Sequence, residues 1–235
     1  MRRLKASLLL DIRLQARSQL YTIGIGVAVL LGLLVRFLVP AEHIGRGLAA
    51  FYVLGLGSTT FMFGASLLLL EKGEHTLEAL RVTMITTRDY VASKALTLTG
   101  FALVESAIVY AIAARGVETG WLSLVSGALV LGVFYTLLGL GLAAPFRAVT
   151  RFLLPTGAFF GMVLQFPFLS LLGIEPWWLW YAIPTQAPLL LLLGAFEPLA
   201  AWQWGYALVM SALMLAGAWA FCLRRFRAHI HLPEG

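Results

Sequence analysis

The sequence predicts an all-α membrane protein with six transmembrane helices. Two observations carry that prediction. Of 235 residues 60% are hydrophobic and only 12% charged, against about 25% charged in ordinary soluble domains. The charges are also clustered: residues 18–35, 47–70, 119–146, 152–174 and 198–223 contain no Asp, Glu, Lys or Arg, and residues 95–114 contain only Glu105. A helix needs roughly 20 apolar residues to cross hydrocarbon, and each of these stretches, with its flanks, reaches that length. The period-2 alternation of a transmembrane barrel is missing.

Taken in order, residues 1–17 read as an interfacial helix. Met1, Leu4, Leu8, Leu9, Ile12 and Ala16 form an apolar stripe opposite Arg2, Arg13 and Arg17, a pattern suited to lying in the headgroup plane. The spans follow at about 19–39, 47–70, 94–114, 121–144, 152–173 and 202–223. The first lacks a small-residue cleavage site before Pro40 and is read as an uncleaved span rather than a signal peptide. The stretch 176–201 carries Pro176, Pro184, Pro188 and Pro198. It reads as short re-entrant helices on the outer side, tolerable at depth only when covered by protein. The whole chain is one transmembrane domain. Its lone cysteine, Cys222, excludes an internal disulfide.

Orientation follows from the basic residues. With the N-terminus inside, the inner segments hold fourteen Lys and Arg and the outer ones three, a strong positive-inside bias. Both termini are therefore expected in the cytoplasm, in a cell (cytoplasmic) membrane. Trp121, Trp177, Trp178, Trp180, Trp202 and Trp204 fall near the outer interface, where indoles are favoured. The net charge of +6 reflects this topology and does not point to nucleic acid.

One charged island, 71–93, lies between spans two and three on the expected cytoplasmic side. Leu77, Leu80 and Met84 recur at helical spacing, and Glu78 lies in the first turn after Thr76, where the helix dipole favours an acid. Thr86 to Asp89 has the spacing of a capping box and restarts a helix into span three. A short helix with one apolar edge and a charged flank suits docking into a partner's groove; the alternative is a solvated loop.

The island's sequence, EKGEHTLEALRVTMITTRDYVASKAL, resembles the cytoplasmic loop of permease subunits of the ABC type-2 exporter family. The matching residues are Glu71, Gly73, Thr76, Leu77, Glu78, Leu80, Thr83, Tyr90 and Lys94. Met84 stands where the family has proline, softening the break after the short helix. The resemblance implies that Glu71, Gly73, Glu74, Thr76, Leu77, Glu78, Leu80 and Arg81 couple the permease to a separate ATP-binding subunit, itself a dimer. It further implies a second permease copy or paralogue, and export as the direction. No G-x-x-x-x-G-K-[ST] sequence is present, so this chain does not form a P-loop. It is expected to bind no cofactor and catalyse no reaction, with ATP and Mg on the partner.

Within the spans, Glu105 lies near mid-bilayer, where an acidic group costs roughly 2.5–3.5 kcal/mol. Thr59, Thr60, Ser58, Tyr135 and Gln165 are candidate partners at similar depth. Glu105, Gln165, Thr59 and Thr60 are thus candidates for a substrate pathway or conformational switch, or for a structural hydrogen bond between helices. Small residues at helical spacing (Gly24, Ala28 and Gly32; Gly157 and Gly161; Ala212, Ala216 and Ala220) permit close helix approach, within the chain or at a dimer seam. All four histidines lie outside the spans, which argues against a membrane metallohydrolase. His229 and His231 supply only two metal ligands, so no metal site is expected. The expected cargo is a hydrophobic or amphipathic small molecule, drug-like or lipid-like. Alternatives are a haem-exporter-like permease of cytochrome c maturation and an ion-coupled secondary transporter.

Overall fold

The computed structural model describes residues 2–77, 85–153, 156, 163–174 and 177–230, with side chains except those of 2–6 and 177. Among these residues the secondary structure is helical and no strand occurs. Helix α1 (Arg2–Arg17) leads into α2 (Leu20–Leu38). A 3-10 turn at Ala41–His43 opens a continuous second segment: α3 (Ile44–Phe51), a π-helical turn (Tyr52–Leu56) and α4 (Gly57–Gly73). Next come α5 (Thr87–Ala113), α6 (Trp121–Ala143) and the short α7 (Val149–Phe152). A 3-10 helix at Phe166–Leu172 precedes the short helices α8 (Trp177–Ala182) and α9 (Gln186–Leu193), and α10 (Ala201–His229) follows.

Five of these segments are long and apolar enough to cross a membrane: Leu20–Leu38, Ala41–Gly73, Thr87–Ala113, Trp121–Ala143 and Ala201–His229. Within the expected span at 152–173, residues 154, 155 and 157–162, with Gly157 and Gly161, lie outside the described residues, and its later part forms the 3-10 helix at Phe166–Leu172. Helix α5 begins seven residues before the expected 94 because the chain caps it locally. The Thr86 hydroxyl accepts from Asp89 N–H at 3.2 Å and donates to Asp89 Oδ2 at 3.0 Å, satisfying one of the amides left open at a helix start.

Helix α6 is the axis of the bundle: 72% of its apolar window is buried, against 28% for α2 and 33% for α10. It packs against α4, α5, α9 and α10. The closest approach is to α4, where Gly139 lies on the backbone of Phe61, and a Cβ on Gly64 would meet the Thr136 carbonyl at 3.0 Å. Two side chains at this crossing would hold the helices apart. The Gly24, Ala28 and Gly32 row of α2 also faces inward: Gly24 meets Phe101 and Glu105, and Gly32 meets Ile112. The row Ala212, Ala216 and Ala220 of α10 points away from the bundle and is exposed, while Ser211, Met214, Ala218 and Cys222 face in.

Helix α1 is oriented by the same logic. Its apolar stripe is not its protein-facing side: Leu9 is 61% and Ile12 45% exposed, and the buried row is Ser7, Asp11 and Gln15. An amphipathic helix in water buries its apolar face. On a membrane protein the apolar face has lipid to meet, so polar side chains with specific partners make the protein contact.

At the end expected to be outer, the Arg46 guanidinium forks onto Glu197 at 2.7 and 3.2 Å. Arg36 donates to the Ile112 carbonyl at 2.8 Å near the end of α5. The apolar helix α9 is enclosed, with Leu189 and Leu192 fully buried. Its close fit to α6 depends on Gly127, where a Cβ would meet Leu192 at 2.8 Å.

Candidate functional site

Two polar clusters stand out in this apolar molecule. The first lies where α4 ends and the charged island begins. Helix α5 presents Tyr90, Ser93 and Lys94, spaced three and four residues apart and so on one face. Lys94 is fully buried, as is Ser93, and Glu71, Tyr90 and Asp11 are 2–3% exposed. The Lys94 ammonium donates to Asp11 Oδ1 at 2.5 Å and to Glu71 Oε1. The Tyr90 hydroxyl donates to Glu71 Oε2 at 2.5 Å, and the Ser93 hydroxyl to Asp11 Oδ2. One turn further along α5, Thr97 accepts from Gln15 Nε2 at 2.8 Å, and Gln15 Oε1 accepts from the Tyr21 hydroxyl at 2.8 Å.

A row on α1 (Asp11, Gln15) thus zips onto a row on α5 (Ser93, Thr97), and Lys94 joins both to the end of α4. Two carboxylates share one ammonium. The excess negative charge is met by the two hydroxyl donors, while the ammonium lies 5.1 Å from the centre of the Tyr90 ring. Tyr90 also stacks on Phe226 at 5.6 Å, bringing α10 into the cluster.

The next residue turns the other way. Lys72 Nζ donates to the carbonyls of Ala144 and Phe146, the latter at 2.8 Å, with Ala143 at 3.5 Å. A cation on the open carbonyls of a helix C-terminus is favourable, so Lys72 caps α6. Glu71 and Lys72 together fix the exit of the chain from the bundle in two directions. Beyond them Gly73 and Glu74 are exposed, His75 has a positive φ of 56°, and Thr76 is half-buried.

Leu77 departs from expectation. It is 5% exposed and belongs to the protein's own core rather than to an outward apolar edge. Glu78, Leu80, Arg81, Thr83 and Met84 lie outside the described residues. Reading the sequence missed two members of this cluster, Ser93 and, more tellingly, Asp11. Its signal was present: it is the only acidic residue before Glu42, inside an apolar run.

The second cluster surrounds the π-helical turn. Glu105 is 3% exposed. Its Oε2 accepts from the Thr59 hydroxyl at 3.2 Å, while its Oε1, lying against Gly24, has no hydrogen-bond partner among the described residues. Gln165 Nε2 donates to Ser58 Oγ at 2.6 Å and to the Leu54 carbonyl at 3.2 Å. Thr60 donates to the Leu56 carbonyl of its own helix at 2.5 Å, and Tyr52 to the Ser106 carbonyl at 2.9 Å.

Of the residues expected together, the fold therefore pairs Glu105 with Thr59 and Gln165 with Ser58. These pairs occupy different sides of one helix, because adjacent helical positions diverge by 100°. Thr60 serves its own backbone, and Tyr135 reaches the Leu164 carbonyl at 3.4 Å instead of Glu105. Wide π turns recur at functional places in helices, and this one leaves the Leu54 and Leu56 carbonyls within reach of side-chain donors. Beside Glu105, Thr59 and Tyr52 lies a cavity of about 10 Å3. That is room for about one water molecule and far below a drug-sized site.

The chain is similar to the fluoroquinolones export permease proteins of two Mycobacterium tuberculosis strains, CDC 1551 / Oshkosh and ATCC 25618 / H37Rv. Each is 34% identical over 223 residues, covering 92% of this chain and 92% of the relative. The family model for fluoroquinolones export permease proteins matches residues 2–232. The match takes in α1, the charged island and all five membrane-crossing segments, and it agrees with the resemblance to ABC type-2 exporter permeases carried by the island. The chain belongs to the fluoroquinolones export permease protein family.

Proposed function

We propose that this chain is the membrane-spanning subunit of an ATP-driven exporter. It moves an amphipathic, drug-like molecule outward and takes its energy from a separate ATP-binding subunit, which holds ATP and Mg. The observation that carries this reading is the buried cluster of Asp11, Glu71, Tyr90, Ser93 and Lys94. A loop that received force from a partner would need a stiff origin. Here the origin is tied to α1 and α5 through Lys94 and to α6 through Lys72. A push on the island then moves three helices together instead of deforming a slack loop.

The charge pattern supports placing the island and both termini in the cytoplasm. The names of the relatives support a fluoroquinolone as the first cargo to test. A second permease copy completes the pathway in this reading. The exposed row of Ala212, Ala216 and Ala220 supports a helix-to-helix contact for it. Glu105, Thr59, Thr60, Ser58 and Gln165 form the intramembrane polar element whose hydrogen bonds change as the pathway opens. Because Leu77 packs inward, partner contact falls to Glu74 and to residues 78–84.

The test is charge reversal on the island. Glu74→Lys with Glu78→Lys is expected to leave the thermal midpoint of the purified permease unchanged. It should also reduce co-purification of a co-expressed ATP-binding subunit at least tenfold and raise cellular fluoroquinolone accumulation to that of cells lacking the permease. If the variant binds the subunit and exports like wild type, the island is not the contact. If wild-type export survives ATP depletion, the energy source is wrong.

A further inference from the structure

Between the start of the island, the turn after α6 and the end of α10 lies an open pocket of about 500 Å3. Lys72, His75, Arg147 and His229 line it over an apolar floor that includes Leu77 and Ile230, and among the described residues its lining contains no Asp or Glu. Leu77 and Ile230 are 5% and 3% exposed, so the floor is firm.

The electrostatics are lopsided. Lys72 is committed to the carbonyls that end α6, which cancels the negative end of that helix. Arg147 is exposed, has no ion pair among the described residues and repels Lys72. His75 sits in the left-handed region at φ 56°, uncommon outside glycine and a frequent mark of functional turns. The pocket also has a defined depth. Lys72 lies in the last turn of α4, Ala144 directly follows α6 and His229 ends α10. All three helices belong to membrane-crossing segments, so their common end marks the headgroup layer.

We propose that this pocket binds the phosphate of an anionic phospholipid headgroup. Arg147 supplies the charge and the N–H donors, and the apolar floor receives the glycerol and the first acyl carbons. Basic pockets between helices at this depth suit such headgroups. The alternative occupant, a carboxylate from a protein partner, leaves most of a 500 Å3 pocket empty.

The test is equilibrium binding of fluorescent phosphatidylglycerol and phosphatidylcholine with identical acyl chains to the purified full chain in detergent micelles. Phosphatidylglycerol is expected to bind at least tenfold more tightly. Each cation near a headgroup contributes about 1 kcal/mol, so Arg147→Gln should weaken phosphatidylglycerol about fivefold and phosphatidylcholine, whose choline cation already offsets its phosphate, by less. Arg151→Gln, a cation outside the pocket, should change neither.

Equal binding of the two lipids overturns the proposal and leaves the pocket to a protein carboxylate. So does an Arg147→Gln variant that keeps the preference. Millimolar inorganic phosphate that abolishes the preference shows that the site takes free phosphate rather than lipid. Truncation after Ile230 should leave the affinity unchanged. A tenfold rise on truncation would show that residues 231–235, which carry Glu234, occupy the pocket instead.

Discussion

Lys94→Met removes the ammonium at the centre of the buried cluster while nearly preserving side-chain volume. Asp11 and Glu71 are then left facing each other without a cation, retaining only the Ser93 and Tyr90 hydroxyls. Breaking a buried pair by removing one partner costs about 3–5 kcal/mol. Against a total stability of about 5–15 kcal/mol, that is a large fraction. At about 2–4 °C per kcal/mol for a chain of this size, the thermal midpoint in detergent should fall on the order of 10 °C.

The cause is separable from mere loss of packing. With Asp11→Asn and Glu71→Gln added, no unpaired buried charge remains, and Asn and Gln still accept from Ser93 and Tyr90. The triple variant should recover most of the midpoint, because neutral buried polar groups with partners cost far less than an orphaned charge. The recovery is an interaction energy, readable as the failure of additivity between the variants. A Lys94→Met midpoint within about 2 °C of wild type, measured with the same slope relation, would refute the reasoning. So would a triple variant less stable than the single one, since each means the three groups do not share one electrostatic environment.

Glu105→Leu should lower the midpoint only modestly, because the Thr59 hydroxyl keeps the Leu56 carbonyl of its own helix, whereas Glu105→Gln should keep the midpoint and alter export. Export and midpoint unchanged in both variants would remove Glu105 from the pathway. Leu77→Ala, at a site 5% exposed, should cost about 2–5 kcal/mol, read as a lower thermal midpoint; an unchanged midpoint would mean the leucine is not packed. In a Cys222→Ser background, a cysteine at His75 should resist an impermeant thiol reagent in intact cells and one at Glu118 should react. Labelling at position 75 would invert the topology.

The candidate site was only half legible before the fold was known. The island announced itself, because the charged and polar residues clustered in 71–93, between two apolar stretches, have no place in hydrocarbon. Glu105 announced itself for the same reason. Which of the island's residues are spent inside the protein was hidden. Glu71, Lys72 and Leu77 read as parts of one exposed helix and loop, yet the first two anchor in the bundle in opposite directions and the third packs in the core. Thr60 and Thr59 looked equivalent, but only Thr59 faces Glu105. The π-helical turn at Tyr52–Leu56 has no sequence mark that separates it from an ordinary helix.

The sequence by itself determined the membrane class, the places where apolar segments lie and the side of the bilayer its charges favour. Those properties are local. A bilayer about 30 Å thick demands an unbroken apolar run, and such a run shows in the order of residues alone. The tertiary structure decided the rest. Lys94 meets Asp11 across 83 positions and Glu71 across 23, and Gln165 meets Leu54 across 111. No periodicity records partners so far apart. In lipid the apolar faces are also poor guides, since hydrocarbon satisfies them as well as protein does. The inward side of α1 is therefore set by Asp11 and Gln15, whose polar groups find hydrogen-bond partners only against α5 and Tyr21.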